Sequence, residues 1–113
     1  MSPLYSFKPG TTEVIAVESD YTDSGANAFA KALIGVYSRL PAANDLPCRY
    51  PCSDHASWYQ KGYPATMLFE AVTGNDNTKI HSAEDTTSVP GFSWSHSLEF
   101  AKVALAFLYE LSV

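Results

Sequence analysis

Clustered positive charge is missing from this chain. Seven Lys and Arg are scattered through 113 residues against twelve Asp and Glu, giving a formal net charge of -5 and a pI near 4.9. A phosphate-binding surface needs grouped cations, so nucleic acid is not expected as a partner. Long apolar runs are missing too. None approaches the ~18 residues a spanning helix requires, and no membrane partner is expected. The opening M-S-P-L-Y-S-F-K-P-G has no apolar core of the signal-peptide kind. Met1 is read as either the start of a cytosolic chain or a cut within something longer. Cysteine is scarce: Cys48 and Cys52 stand as C-x-x-x-C in a Pro-containing stretch. One such pair is at most half a zinc site. A small-loop disulfide, which favours an oxidising compartment, is the preferred reading, with two buried thiols as the alternative. His55, His81 and His96 contain no H-x-x-x-H pair that would set two imidazoles on one helix face. No G-x-S-x-G surrounds a serine either, which removes the nucleophile elbow of a serine hydrolase.

What is present is core-forming material. Hydrophobic residues make up 46% of the chain, with Tyr 7, Phe 6 and Trp 2. That is enough for one domain with one core and argues against disorder. After an irregular, Pro-rich lead-in, residues 13–17 (E-V-I-A-V) read as a strand buried on both faces. Asp23 or Ser24 can cap a helix over 24–39, with Phe29, Leu33, Val36 and Leu40 as its inner face and Pro41 as its stop. Residues 42–47 read as a connector. Ser53 can cap a short helix over 53–61, with Asp54 at its positive end and Gly62 just beyond its C-terminus. A strand at 65–70 follows, then a polar loop from Thr73 to Thr78. The last element is a helix over 94–111. Trp94, Leu98, Ala101, Leu105 and Leu108 form one apolar stripe on it, and Phe100, Ala104, Phe107 and Leu111 a second. Glu99, Lys102 and Glu110 are left on a narrow wet side. The order is that of an α/β fold. Two strands, with a third near Cys48, are few for so much apolar helix surface, so the chain reads as one side of a larger α/β domain.

Several residues are candidates for chemistry. Ser53, Asp54 and His55 have the residue types of a hydrolytic triad, but neighbours on a helix do not face one another. Tyr50, Met67, Phe69 and Ile80 cluster in sequence around Cys48 and Cys52, and are read either as an apolar pocket or as plain core packing. Glu70 follows a strand, where side chains often face a cleft, yet a carboxylate there is more often structural. His96, in the first turn of the last helix, reads as a neutral surface histidine.

Three motifs, in order, carry a family resemblance: C-x-Y-x-C-S-D-H-A-S-W, then G-Y-P-A-x-M-x-F-E, then I-H-x-x-x-D-T. Together with V-I-A-V-E-S-D-Y-T-D upstream and the closing S-H-S-L-E-F-A-K-V-A-L-A-F-L-Y-E-L, the chain resembles the C-terminal part of bacterial leucyl aminopeptidases. These are secreted di-zinc exopeptidases of the co-catalytic type. The resemblance implies a partial three-layer α/β/α sandwich around a mixed sheet, and removal of N-terminal apolar residues from peptide substrates. It implies His81 as the last zinc ligand, Tyr50 beside the substrate carbonyl, and a disulfide between Cys48 and Cys52 next to the pocket. Met67, Phe69 and Ile80 would line that pocket. Met1, standing where relatives have the Met after a ligand Asp, would join it. Asp85, and with it Glu70, would act behind the ligands or structurally. The other ligands of the two zinc ions and the general base would lie upstream, so the chain alone is expected to be inactive, with the missing N-terminal part of the same domain as its partner. The alternative is a non-catalytic interaction or oligomerisation module reusing half of the fold, with a homo-oligomer formed through an exposed sheet edge or bridged by zinc at His81 or His96. A secreted or periplasmic location follows from the family and the disulfide.

Overall fold

The structure is a computed structural model that describes residues 8–113. Six elements follow in chain order: β1 (Ile15–Val17), α1 (Ser24–Tyr37), β2 (Ala42–Asn44), α2 (Asp54–Gln60), β3 (Leu68–Phe69) and α3 (Trp94–Ser112). β1 is the central strand of a mixed sheet ordered β2-β1-β3. It pairs parallel to β2, with Ile15 opposite Ala42 and Val17 opposite Asn44, and antiparallel to β3, with Val17 opposite Leu68. All three β1 residues are buried, as expected for a strand covered on both faces. Ile15 and Val17 project to one face, where Leu33 and Ile34 of α1, Leu40, and Phe100, Val103 and Ala106 of α3 complete the core. Phe29 and Phe107 meet edge to face at its margin, 5.4 Å between centroids.

Two helix starts follow from local chemistry. Asp23 caps α1, its carboxylate accepting the Ala26 N–H at 2.8 Å, and Ser93 caps α3 through the His96 N–H at 3.1 Å. Ser53 takes the capping position of α2, but its side chain makes no capping bond; its carbonyl accepts the Ala56 N–H instead. Gly62 follows α2 with φ 86°, the left-handed geometry that glycine adopts without strain.

The structure corrects four expectations. The third strand lies at Ala42–Asn44, inside the presumed connector, and not at Cys48. Two alanines and an asparagine have little strand preference of their own; the ladder with β1 makes them a strand. Second, α1 turns Ala30, Leu33 and Ile34 inward and leaves Val36 74% exposed. The helix stops at Tyr37, ahead of Pro41, so Leu40 reaches the core from the following loop.

Third, α3 is rotated relative to its apolar pattern. Trp94, Leu98, Leu105 and Leu108 are between 53% and 73% exposed, whereas Glu99, assigned to the wet side, is buried. Its carboxylate accepts from Lys102 Nζ at 2.8 Å and from the Arg39 N–H at 3.1 Å, so its charge is matched where it is buried. Fourth, His96 is fully buried, not on the surface. Its Nδ1 lies 2.8 Å from Glu13 Oε1 and its Nε2 2.7 Å from the Glu70 carbonyl. The Glu13 carboxylate also takes Arg39 Nη2 at 2.8 Å.

These placements separate two otherwise similar truncations. Ile34→Ala is expected to cost about 2–5 kcal/mol, because it opens a cavity in the core. Val36→Ala should change stability by no more than about 0.5 kcal/mol. Urea unfolding of both variants checks this; equal losses would mean that α1 faces the other way.

Candidate functional site

The pairing of β1 with both neighbours determines where the chain opens. At the carboxyl end of β1 the Val17 carbonyl accepts the Asp45 N–H at 2.9 Å, and the Glu18 N–H donates to the Met67 carbonyl at 3.0 Å. Glu18 and Asp45 therefore leave adjacent parallel strands at the same level. Crevices beyond the carboxyl ends of strands are where α/β sheets bind ligands. A cleft of about 260 Å³ lies at this edge. It brings together Tyr50, Met67, Phe69, Ile80 and His81, with Cys48 and Cys52 in its wall. These residues come from three separate stretches of chain, so their convergence is a product of the fold. Glu18, Asp45 and Asp76 line the same space.

Cys48 and Cys52 are joined as a disulfide. The loop they close is held from below by Asp20, whose two carboxylate oxygens accept the N–H groups of Cys48 at 3.0 Å and Arg49 at 2.6 Å. Arg49 has φ 67° and His81 φ 64°, left-handed values that are strained for non-glycine residues. Such strain gathers where loops are shaped for a ligand. Glu70 and Asp85 stand behind the cleft wall. Buried Glu70 accepts the Asn77 N–H at 3.0 Å, and Asn77 donates its side-chain amide to Asp85 at 2.6 Å while accepting the Lys79 N–H at 2.8 Å. Asn77 thus secures the turn that carries Ile80 and His81. Met1, the remaining expected pocket residue, lies outside the described residues.

Glu18 is the most perturbed group of the cleft. It is 2% exposed, and its Oε1 accepts the N–H groups of Ser19 at 2.9 Å and Asp20 at 3.2 Å. Its Oε2 lies 3.2 Å from Cys48 Sγ, a disulfide sulfur with no proton to give. Burial, reinforced by a hydrogen bond to the Asp20 carboxyl, pushes Glu18 up from 4.5 to about 7. The same bond to Glu18, with the N–H groups of Arg49 and Cys48, holds Asp20 below its ordinary value.

By themselves the described residues do not complete a metal centre. Among the described residues, the one set of three candidate ligand atoms within 4.8 Å of each other is Glu18, Cys48 and Cys52, and both sulfurs there are bonded to one another. Such sulfurs are not the thiolates that zinc takes. His81 is the single imidazole lining the cleft. His55 and His96 are packed elsewhere: His55 is buried in α2 with its Nε2 3.3 Å from the Asp20 carbonyl, and His96 is buried in the first turn of α3.

Glu18, Asp20, Asp45 and Asn77 were not singled out in the sequence, where Asp45 falls in the connector and Asn77 in the polar loop. One signal was available: Glu18 follows an apolar strand directly, as Glu70 does.

The raised Glu18 carboxyl has a consequence for stability. The folded state binds this proton more tightly than the unfolded chain does, so its contribution is full below pH ~4.5 and is lost as the pH rises through about 7. Glu13 and Glu99 run the other way. Burial acts to raise both, but hydrogen bonds from Arg39 and His96 to Glu13, and from Lys102 and the Arg39 N–H to Glu99, outweigh it and leave both lowered. Their contribution is therefore present above about pH 4.5 and is lost in acid. Thermal melts from pH 4 to 8 are expected to show Glu18→Gln losing less stability than the parent chain between about pH 5 and 7.5. Parallel curves would show that Glu18 ionises normally.

No family model matches the chain. Individual proteins do. It is 40% identical over 103 residues to leucine aminopeptidase 1 of Penicillium rubens, covering 91% of this chain and 26% of that protein. It is 40% identical over 110 residues to a probable leucine aminopeptidase of Arthroderma benhamiae, covering 97% and 29%. Of solved structures, the LapA aminopeptidase of Legionella pneumophila superposes with a TM-score of 0.79 at 34% identity, covering 87% of this chain and 26% of that one. LapB of the same organism superposes with a TM-score of 0.83 at 29% identity, covering 94% and 29%. The chain thus spans just over a quarter of the length of the relatives it matches. Over about nine-tenths of its own length, it is similar in sequence to one portion of these leucine aminopeptidases and in fold to one portion of LapA and LapB.

Proposed function

We propose that this chain forms the C-terminal portion of a metal-dependent aminopeptidase and supplies the wall against which the substrate's first side chain rests. One observation carries the reading: Tyr50, Met67, Phe69, Ile80 and His81, distant in sequence, meet in one cleft at the carboxyl edge of the sheet, in a chain homologous to leucine aminopeptidases. In this arrangement Met67, Phe69 and Ile80 give the apolar contact that an N-terminal apolar residue needs. Tyr50 offers a phenol towards the peptide, and the Asp20-anchored disulfide loop keeps it in place. Asn77 fixes the turn that presents His81.

Zinc is the proposed metal, with His81 as this chain's contribution to it. A single imidazole falls short of the ~3 protein ligands of a catalytic zinc. The further ligands, a second zinc ion and the general base belong to the complete enzyme, and this chain by itself is read as inactive. Its proposed partner is the N-terminal part of the same domain. The exposed Trp94, Leu98, Leu105 and Leu108 of α3 favour a covering partner of some kind. A homo-oligomer or a non-catalytic interaction module is the second reading that this face supports. The disulfide favours a secreted or periplasmic setting.

The test is an assay with leucine p-nitroanilide and added zinc. The chain alone should give background only. Together with the N-terminal part of an aminopeptidase it should turn the substrate over, and His81→Ala should then reduce kcat/KM by at least about 100-fold. Turnover that survives His81→Ala would remove this residue from the metal site. A folded but inactive complex would move the weight to the interaction module, which light scattering would reveal as a dimer or larger species.

A further inference from the structure

The turn that presents His81 is strained and needs an anchor. The Lys79 carbonyl accepts the Ser82 N–H at 3.2 Å and the Ser82 hydroxyl at 2.6 Å, closing a turn whose third residue is His81 with φ 64°. Glycine usually fills such a place. Another residue persists there only where the surroundings over-determine the backbone. The Asn77 side chain accepts the Lys79 N–H at the start of this turn, and the Asn77 N–H donates to the buried Glu70 carboxyl at 3.0 Å. The turn is therefore only as fixed as Glu70. Helix α3 reaches Glu70 from behind. His96, fully buried in its first turn, has Nε2 2.7 Å from the Glu70 carbonyl oxygen. A carbonyl only accepts, so Nε2 carries the proton. On the other edge of the ring, Nδ1 lies 2.8 Å from Glu13 Oε1, an oxygen that Arg39 Nη2 also meets at 2.8 Å. The Phe100 ring packs edge-on against the imidazole, 5.3 Å between centroids. The imidazole is thus held on both edges and one face, and its Nε2–H is aimed at one backbone atom.

We infer that His96 is a positioning residue for His81: its Nε2–H fixes the Glu70 backbone, and the Glu70 carboxyl and Asn77 pass that constraint to the turn that carries His81 into the cleft. His96 touches neither the cleft nor anything bound there. A metal-binding imidazole depends on such support, because its affinity follows its orientation. The functional meaning of the relay rests on reading His81 as a metal ligand.

The test uses two amide variants of different reach. In His96→Gln the amide nitrogen stands about where Nε2 does and can still donate to the Glu70 carbonyl. In His96→Asn it stops near the Nδ1 position and cannot. Amide hydrogen exchange is followed by NMR on the whole chain. In His96→Asn the N–H groups of Asn77 and Lys79 are expected to exchange about tenfold faster, the size of one lost hydrogen bond, with a smaller change at Ile15 in β1. The backbone couplings that report φ of His81 should move with them. His96→Gln should return all three residues towards the unaltered chain. Acceleration at Ile15 as large as at Asn77 and Lys79 would show that His96 supports the fold as a whole, and would overturn the inference. So would a His96→Asn variant in which Asn77 and His81 are unchanged. The ring nitrogen shifts of the unaltered chain give a check that needs no variant to fold: Nε2 must be protonated, and a proton on Nδ1 alone overturns the relay. None of these readouts uses metal or activity. The relay therefore stands or falls apart from the role of His81 as a ligand, which His81→Ala decides.

Discussion

The ladder between Ile15–Val17 and its two neighbours is the constraint on which the cleft depends. Three residues have little side-chain area to offer, but both edges of the strand are hydrogen-bonded and all its side chains are buried. Register is therefore strongly specified: a slip of one residue would turn Ile15 and Val17 away from the core. The last bonds of the two ladders, Asp45 N–H to Val17 and Glu18 N–H to Met67, bring three segments to one level. Everything that lines the cleft is placed from there. Asp20, two residues beyond Glu18, reaches the disulfide loop, and Asp45 ties down the loop at Thr73. Short carboxylates accepting backbone N–H groups are the means by which irregular loops are held to this edge.

The last helix, α3, is docked by charge as much as by apolar contact. Phe100, Val103 and Ala106 enter the core, while His96 and Glu99 bridge to Glu13, Glu70 and Arg39. Arg39 joins the two acidic groups, reaching Glu13 at 2.8 Å and Glu99 at 3.4 Å. A network of this kind is directional and fixes the rotation of the helix about its axis, which a general apolar preference does not. The rotation it selects turns the helix's longest apolar stripe outward. In relatives roughly three and a half times as long, further chain is available to cover such a face.

Much of this was legible in the sequence. Five of the six elements appear at or near their expected positions, because β-branched runs, capping residues, glycine and proline act through near neighbours. The grouping of Tyr50, Met67, Phe69, Ile80 and His81 was reached through motif resemblance, and the cleft contains all five. What escaped notice was polar and central. Glu18 was not singled out, Asp45 looked like a connector residue, Glu99 like a solvent-facing charge and His96 like a surface imidazole. Each is buried with partners 26 to 83 residues away or on an adjacent strand, and periodicity says nothing about partners at such range.

The sequence by itself determined where the helices start, that β1 is buried on both faces, and which stretches carry the residues that line the cleft. These properties arise from dihedral preference, capping and local apolar density. Only the tertiary structure decided that Ala42–Asn44 is a strand, that α3 faces inward through His96 and Glu99, and that two carboxyl groups share the cleft with its apolar wall. Those outcomes depend on which distant groups supply the hydrogen bonds and counter-charges that make a buried polar atom tolerable, and that pairing exists only once the chain has closed on itself.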